Sequence, residues 1–210
     1  MAYSINCELL GNMDNTCIVV DDEEHKNLVV FDAPIGCATI LDEHPGYELA
    51  ALIFTHGHYD HLLGASGLQA KARQVIAHEG DRNMYEHPES MVVWTDPGEA
   101  ELLKPVKVSR YLRADSVFEV AGLTIDARHT PGHSRGGMAY YLPSLNAVVT
   151  GDSLFRQSVG RSDLPGGDHE ELIEAIRKKI LTLPDATRVF PGHGPETTVG
   201  FEKLYNPFLR

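Results

Sequence analysis

Thr55-His56-Gly57-His58-Tyr59-Asp60-His61 places three histidines and an aspartate within six consecutive positions, directly after the apolar run 49–54. Imidazole and carboxylate are poor interior residues unless something pairs with them, so packing is a costly explanation for four such side chains at one strand end. A short apolar run that breaks into a Gly-containing polar turn reads as a buried strand delivering its loop to a surface cleft. His56 and His58, two apart, point the same way while the chain stays extended, and Asp60 and His61 then turn toward a neighbouring point. Two adjacent ligand clusters imply two adjacent metal ions.

The rest of the composition narrows the class. With 210 residues, 42% hydrophobic and 23% charged, the chain has ample material for a core and is expected to form a single domain over 1–210. Its formal charge is −12, from 18 basic and 30 acidic residues without a Lys/Arg-rich run. That average field repels nucleic acid and anionic membranes, while leaving room for a local basic pocket and a small anionic substrate. No apolar run approaches the ~18–20 residues of a membrane span. No Lys or Arg precedes Lys26, as the start of a secretory signal would require, and Cys7, Cys17 and Cys37 show no CxxC spacing. The expectation is a reduced, cytoplasmic protein, with oligomeric state left open.

Apolar, β-branched runs at 16–20 and 28–32, around the charged turn 21–26, suggest a hairpin, and 49–55 is the next strand. The Ala- and Leu-rich stretch 62–73 reads as a helix leading into a strand at 74–77. In the second half, 116–120 and 124–128 form one hairpin, and 138–142 and 147–150 a second pair. Residues 169–183 carry apolar side chains at helical spacing, with Asp168 as the cap, and 187–190 is a last strand. Each half thus runs through strands, a polar loop and a helix, as a duplicated unit would, with sheets packed face to face and helices outside. Pro88, Pro97, Gly98 and Pro105 break any period in 79–115, which reads as a long insertion or lid, with Trp94 either its anchor or simply packed.

Three later strand ends repeat the ligand pattern. One leads to Pro131-Gly132-His133, one to Gly151-Asp152, and one to Pro191-Gly192-His193. Zinc accepts imidazole nitrogen and carboxylate oxygen, and a catalytic site keeps a position for water. His56, His58 and His133 suit one metal. Asp60, His61 and His193 suit the second, with Asp152 able to bridge through its two oxygens. A hydroxide held between two such metals is nucleophilic at neutral pH, so neither serine nor cysteine is needed and Asp60 and Asp152 carry the catalytic burden. Any one of these residues alone reads as an ordinary contact or turn; seven together at four strand ends read as a metal site.

This set, HxHxDH followed by separate His, Asp and His motifs, resembles the metallo-β-lactamase fold superfamily over essentially the whole chain. The resemblance implies an α/β (α+β) architecture, a four-layer αββα sandwich with the metals at one edge between the sheets. Within the superfamily, Gly151-Asp152-Ser153-Leu154-Phe155, the run from Gly160-Arg161-Ser162-Asp163 to Gly167-Asp168, Phe190-Pro191-Gly192-His193-Gly194-Pro195 and Tyr205-Asn206-Pro207-Phe208-Leu209 are similar to the glyoxalase II branch. Only 17 residues follow His193, which resembles the short bacterial hydroxyacylglutathione-hydrolase-like form without a C-terminal helical domain. In longer relatives a Lys or Arg near the Arg161 position contacts the glycine carboxylate of glutathione with help from a tyrosine. Arg161 matches the cation, Ser162-Asp163 offers no tyrosine, and an ion pair with Asp163 or Asp168 is the ordinary alternative. Tyr59, at the centre of the metal loop, is the other candidate for substrate contact. His129 matches no ligand of the family and is expected to play a structural, hydrogen-bonding role.

The function implied is hydrolysis of glutathione thioesters such as S-D-lactoylglutathione, with two zinc ions, iron or mixed metals being alternatives. A mononuclear-iron persulfide dioxygenase using His56, His133 and Asp152 is the runner-up, and a non-catalytic metal-binding module a distant third. β-Lactamases generally lack the bridging aspartate that Asp152 supplies.

Overall fold

Every residue of the segment Asn15–Asp22 is buried, which requires a strand covered on both faces. The structure, a computed structural model, describes residues 3–210. The first sheet contains β1 (Tyr3–Leu10), β2 (Asn15–Asp22), β3 (Asn27–Phe31), β4 (Glu48–Ile53), β5 (Val75–His78) and β6 (Arg110–Leu112), in that spatial order. Its first three strands are antiparallel and its last four run parallel. The second sheet uses β7 (Ser116–Val120), β8 (Leu123–His129), β9 (Met138–Leu142) and β10 (Ala147–Gly151). A small hairpin of β11 (Leu154–Phe155) and β12 (Ser158–Val159) follows, before β13 (Arg188–Pro191) and β14 (Thr197–Thr198) complete the second sheet in the order β14-β13-β10-β9-β8-β7. Each half of the chain therefore builds one six-stranded sheet, as the repeated order of elements suggested.

Period-two alternation sorts the side chains into layers. Ile18, Val20, Phe31 and Ile53 of the first sheet meet Ile125, Tyr140, Val149 and Phe190 of the second in one intersheet core. On the outer face of the first sheet, Val19, Val30, Leu52 and Phe54 pack against Ile40 of α1 (Thr39–Glu43), Leu68 of α2 (Ala65–Leu68) and Tyr85 of α3 (Arg82–Glu86). On the outer face of the second, Val148 and Val189 pack against Leu172 of α4 (His169–Ala175) and Val199 of α5 (Val199–Tyr205). The result is an αββα sandwich. Among the described residues, no helix is long and apolar enough to cross a membrane.

Several elements differ from the sequence expectation. The helix expected over 62–73 shrinks to Ala65–Leu68. Gly64 donates to the Ala33 carbonyl at 2.8 Å, and a Cβ there would lie 2.3 Å from the Pro34 carbonyl oxygen, so close tertiary packing overrides helix propensity. The helix expected over 169–183 is α-helical only to Ala175 and continues as a π turn, Ile176–Ile180. Its start is as expected, with the Asp168 carboxylate accepting from the Glu171 N–H at 3.0 Å. Strand β1, half-exposed along its length, and helices α1 and α5 carry no strong apolar period and were not anticipated.

The segment 79–115 is built into the sandwich more deeply than its prolines suggest. It supplies α3, the edge strand β6 and the buried Tyr85, Met91, Leu103 and Val106, while Val93 and Trp94 stay exposed. At its start, the buried Asp81 carboxylate accepts from the Gly57 N–H at 2.9 Å, the Ser134 hydroxyl at 2.7 Å and the Gly136 N–H at 2.7 Å. One side chain thereby ties a loop of the first sheet to a loop of the second. Asn at this position has a single acceptor oxygen and turns an amide against a donor. Asp81→Asn is expected to destabilise the protein by about 1–3 kcal/mol, the cost of leaving a buried donor unpaired, as read from denaturant unfolding.

Candidate metal centre

Four strand ends converge on the edge between the sheets. β4 runs out into Thr55–His61, β8 into His133, β10 into Asp152 and β13 into His193. β3 with β4 and β10 with β13 are parallel pairs, so their carboxyl ends open on the same side as Asp32 and the ligand loops. Across the edge, the Met138 N–H donates to the Thr55 carbonyl at 2.8 Å and the Tyr140 hydroxyl to the Phe54 carbonyl at 2.9 Å, locking the histidine loop of one sheet to a strand of the other.

The seven side chains singled out as ligands lie together here. His56, His58 and His133 form one group, Asp60, His61 and His193 a second, and Asp152 groups with His56 and His61, each group with its ligand atoms within 4.8 Å of one another. His133 Nε2 is 2.8 Å from His58 Nδ1 and 3.2 Å from His56 Nε2. Asp152 Oδ2 is 3.5 Å from His133 Nε2 and 3.6 Å from His193 Nε2, while Oδ1 is 3.4 Å from His61 Nε2. The Asp152 carboxylate therefore faces both groups.

Four of the five imidazoles are oriented through their other nitrogen. The Thr55 hydroxyl donates to Asp32 at 2.7 Å and so accepts from His56 Nδ1 at 3.1 Å. His61 Nδ1 pairs with Asp32 at 2.9 Å, His133 Nδ1 donates to the Arg161 carbonyl at 2.7 Å, and His193 Nδ1 to the Met13 carbonyl at 3.0 Å. These bonds set the tautomer and aim each Nε2 at the centre. Asp32, in the left-handed region at φ 61°, also accepts from the Thr55 N–H at 2.7 Å. Asn15 completes the ring, its amide donating to Asp60 Oδ2 at 2.8 Å.

This donor set fits metal cations. His56 Nε2 and His133 Nε2 face each other as two lone pairs with no proton to share, an arrangement a cation between them relieves. His61 Nε2 and Asp152 Oδ1 are fully buried without a hydrogen-bond partner, which open coordination positions explain. Imidazole with carboxylate, and no thiolate, suits zinc or iron.

The electrostatics agree. Burial, reinforced by the neighbouring histidines, holds His56 well below the usual imidazole range, and burial with His133 pushes His58 down to about 4, so both are neutral donors at neutral pH. Burial alone would raise Asp60, yet His61, the adjacent His193 ring and the hydrogen bond from Asn15 hold it below the carboxylate range. Asp152 behaves alike, burial being outweighed first by His61. His61 goes the other way. Burial disfavours its charge, but Asp60, Asp32 and Asp152 together push it well above its ordinary value. Asp60, with Asp32 and Asp152 beside it, makes the second group favourable for positive charge.

Above the centre lies a cleft of about 380 Å³ whose walls include Met13, Tyr59, Trp94, Leu164 and Arg161. Tyr59 borders it, with its hydroxyl against Met13 Sδ at 3.8 Å. Arg161 reaches the rim with its guanidinium engaged by Asp163 in two 2.7 Å bonds, the ion pair weighed as its ordinary role. His129 lies apart from the two groups, stacked on His78 with ring centroids 4.1 Å apart and bonded to the Arg135 carbonyl. Sequence reasoning missed Asp32, Asn15 and Asp81. The one available signal was for Asp32, a carboxylate closing an apolar strand run, which burial tolerates only with partners.

Residues 10–193 match the metallo-beta-lactamase superfamily. The chain is similar to the crystal structure of the BLEG-1 B3 metallo-beta-lactamase, with 33% identity, a TM-score of 0.85 and coverage of 98% of this chain and 99% of that one. It is also similar to TTHA1623 in a di-iron-bound form, with 34% identity, a TM-score of 0.82 and coverage of 97% and 100%. The hydroxyacylglutathione hydrolase GloC of Haemophilus influenzae is 32% identical, over 93% of this chain and 92% of that protein. The two-sheet sandwich, the ligand clusters at its edge and a match running through His193 agree: the chain belongs to the metallo-beta-lactamase superfamily.

Proposed function

We propose that the protein is a two-metal hydrolase of thioesters, acting on glutathione thioesters such as S-D-lactoylglutathione with two zinc ions. The observation that carries this reading is the placement of Asp152, which faces both ligand groups and so makes them one centre. Metals bound there would supply an activated water and polarise the substrate carbonyl. Among the described residues, no serine, threonine or cysteine lines the cleft, and Asp60 and Asp152 face the metal positions, which favours water as the nucleophile.

The protein's own residues do the rest. Asp60 and Asp152 remain ionised in a buried setting and keep the centre anionic enough to hold two cations. Met13, Trp94 and Leu164 make an apolar wall against the acyl and thiol portions and limit bulk water. Arg161 at the rim offers a carboxylate of the thiol moiety a bidentate contact, in exchange for its present pair with Asp163. A thiolate leaves readily near neutral pH, so a separate general acid is unnecessary. The named activity of the GloC relative supports the substrate class, and the di-iron form of TTHA1623 supports a two-metal centre while keeping iron a candidate.

Stripping the protein with a strong chelator is expected to abolish S-D-lactoylglutathione hydrolysis, and two equivalents of zinc to restore it. The same preparation is assayed with glutathione persulfide for oxygen uptake and with a chromogenic β-lactam. Faster turnover of either would displace the thioesterase reading. Asp60→Ala combined with His61→Ala is expected to lower kcat/KM by at least about 100-fold, the upper end of what losing even an outer partner of a metal ligand costs. The far-ultraviolet circular dichroism should stay unchanged, and full activity in the double variant would eliminate the two-metal mechanism.

A further inference from the structure

The two ligand groups share Asp32, which pairs with His61 and accepts from Thr55, but are otherwise held by different parts of the chain. The His56, His58 and His133 group is tied down by Thr55, the Arg161 carbonyl and the Asp81 bonds to Gly57, Ser134 and Gly136. The Asp60, His61 and His193 group leans instead on the turn between β1 and β2. There the Met13 carbonyl fixes His193, Asn15 fixes Asp60, and the Thr16 N–H donates to the Gly192 carbonyl at 2.8 Å, zipping the start of β2 onto the loop that carries His193.

Asn15, the first residue of β2, is the pivotal side chain where that turn ends. It is 3% exposed, its amide donates to Asp60 Oδ2, and the same nitrogen lies 3.5 Å from His193 Nε2. Asp60 is the one carboxylate belonging to this group alone, because Asp152 is shared. Asp60 Oδ2 also lies 3.2 Å from His193 Nε2 and 3.4 Å from His61 Nε2, but once those nitrogens serve a metal Asn15 is its remaining neutral donor, and a misaimed carboxylate is a poor ligand. The bland alternative is that Asn15 merely satisfies a strand start, in which case its loss would reduce overall stability without favouring either group.

We propose that Asn15 is a positioning residue for the Asp60, His61 and His193 group, so that the β1–β2 turn sets the metal affinity of this group independently of the other. The inference rests on the two-metal reading above. It makes the turn the element that decides between a two-metal and a one-metal centre.

The test is zinc binding to metal-free wild type and Asn15→Ala, followed by competition with a chromogenic chelator and by elemental analysis after gel filtration. Wild type should take up two equivalents. Asn15→Ala should keep one at wild-type affinity and bind the second about 10–100-fold more weakly, the range expected for losing an outer-shell partner. Asn15→Ser, polar but too short to reach Asp60, carries the same expectation should the alanine variant fail to fold. Both equivalents bound at wild-type affinity, or both weakened alike, would overturn the proposal. A wild-type chain that takes up a single equivalent overturns both this inference and the two-metal reading.

Discussion

Seven polar or ionisable side chains sit in or beside a protein interior where none can be left unpaired. Their mutual satisfaction is the constraint that the rest of the structure serves. Burying a carboxylate or an imidazole without a partner costs several kcal/mol, so the fold must either supply partners or leave a place for cations. It does both. Asp32, Thr55, Met13 and Arg161 occupy one nitrogen of each of four imidazoles, and the remaining nitrogens converge on one centre. Three carboxylates, Asp60, Asp32 and Asp152, oppose the cost of burial around His61 and make its surroundings favour a cation.

The sandwich makes this arrangement rigid. Strands covered on both faces cannot slide without exposing one apolar face, so the register of the strand ends is well determined. Those ends carry the ligands, and the cross-sheet bonds from Met138 and Tyr140 to the backbone of 54–55 fix one ligand loop against the other sheet. Close approach is taken to its limit at Gly192, where a Cβ would lie 2.2 Å from Asp152 Oδ1. The glycine beside His193 is there because the Asp152 carboxylate occupies the space a side chain would need.

Those features legible in the sequence were the ones written locally. Apolar β-branched runs at 16–20, 28–32 and 147–150 announce strands because both of their faces need apolar cover, the run at 116–120 has one buried face, and the ligands show up because histidine and aspartate have no packing reason to follow such runs. The helix at 62–73 was overestimated because its Ala and Leu content says nothing of the Pro34 carbonyl pressed against Gly64. Asn15 and Asp81 look like turn residues, and their roles exist only once chain segments 45 and 55 positions apart are brought together. The exposed pair of Arg161 with Asp163 lay two residues apart in plain view, but distance along the chain could not choose between that partner and a substrate carboxylate.

Centre and rim have different physical origins, and this separates chemistry from specificity. The candidate metal ligands descend from sheet ends and are held by buried hydrogen bonds. The cleft walls come from connections: Met13 from the β1–β2 turn, Trp94 from the segment 79–115, and Arg161 and Leu164 from the loop after β12. Exposed connections tolerate change far better than buried strand ends. A chain of this architecture can therefore exchange its walls and its substrate while keeping the same centre, as proteins do when one fold hosts several reactions. Met13 is the point where the two regimes meet. Its side chain lines the cleft while its carbonyl oxygen orients His193, so reshaping that wall reaches the ligand group that the β1–β2 turn holds in place.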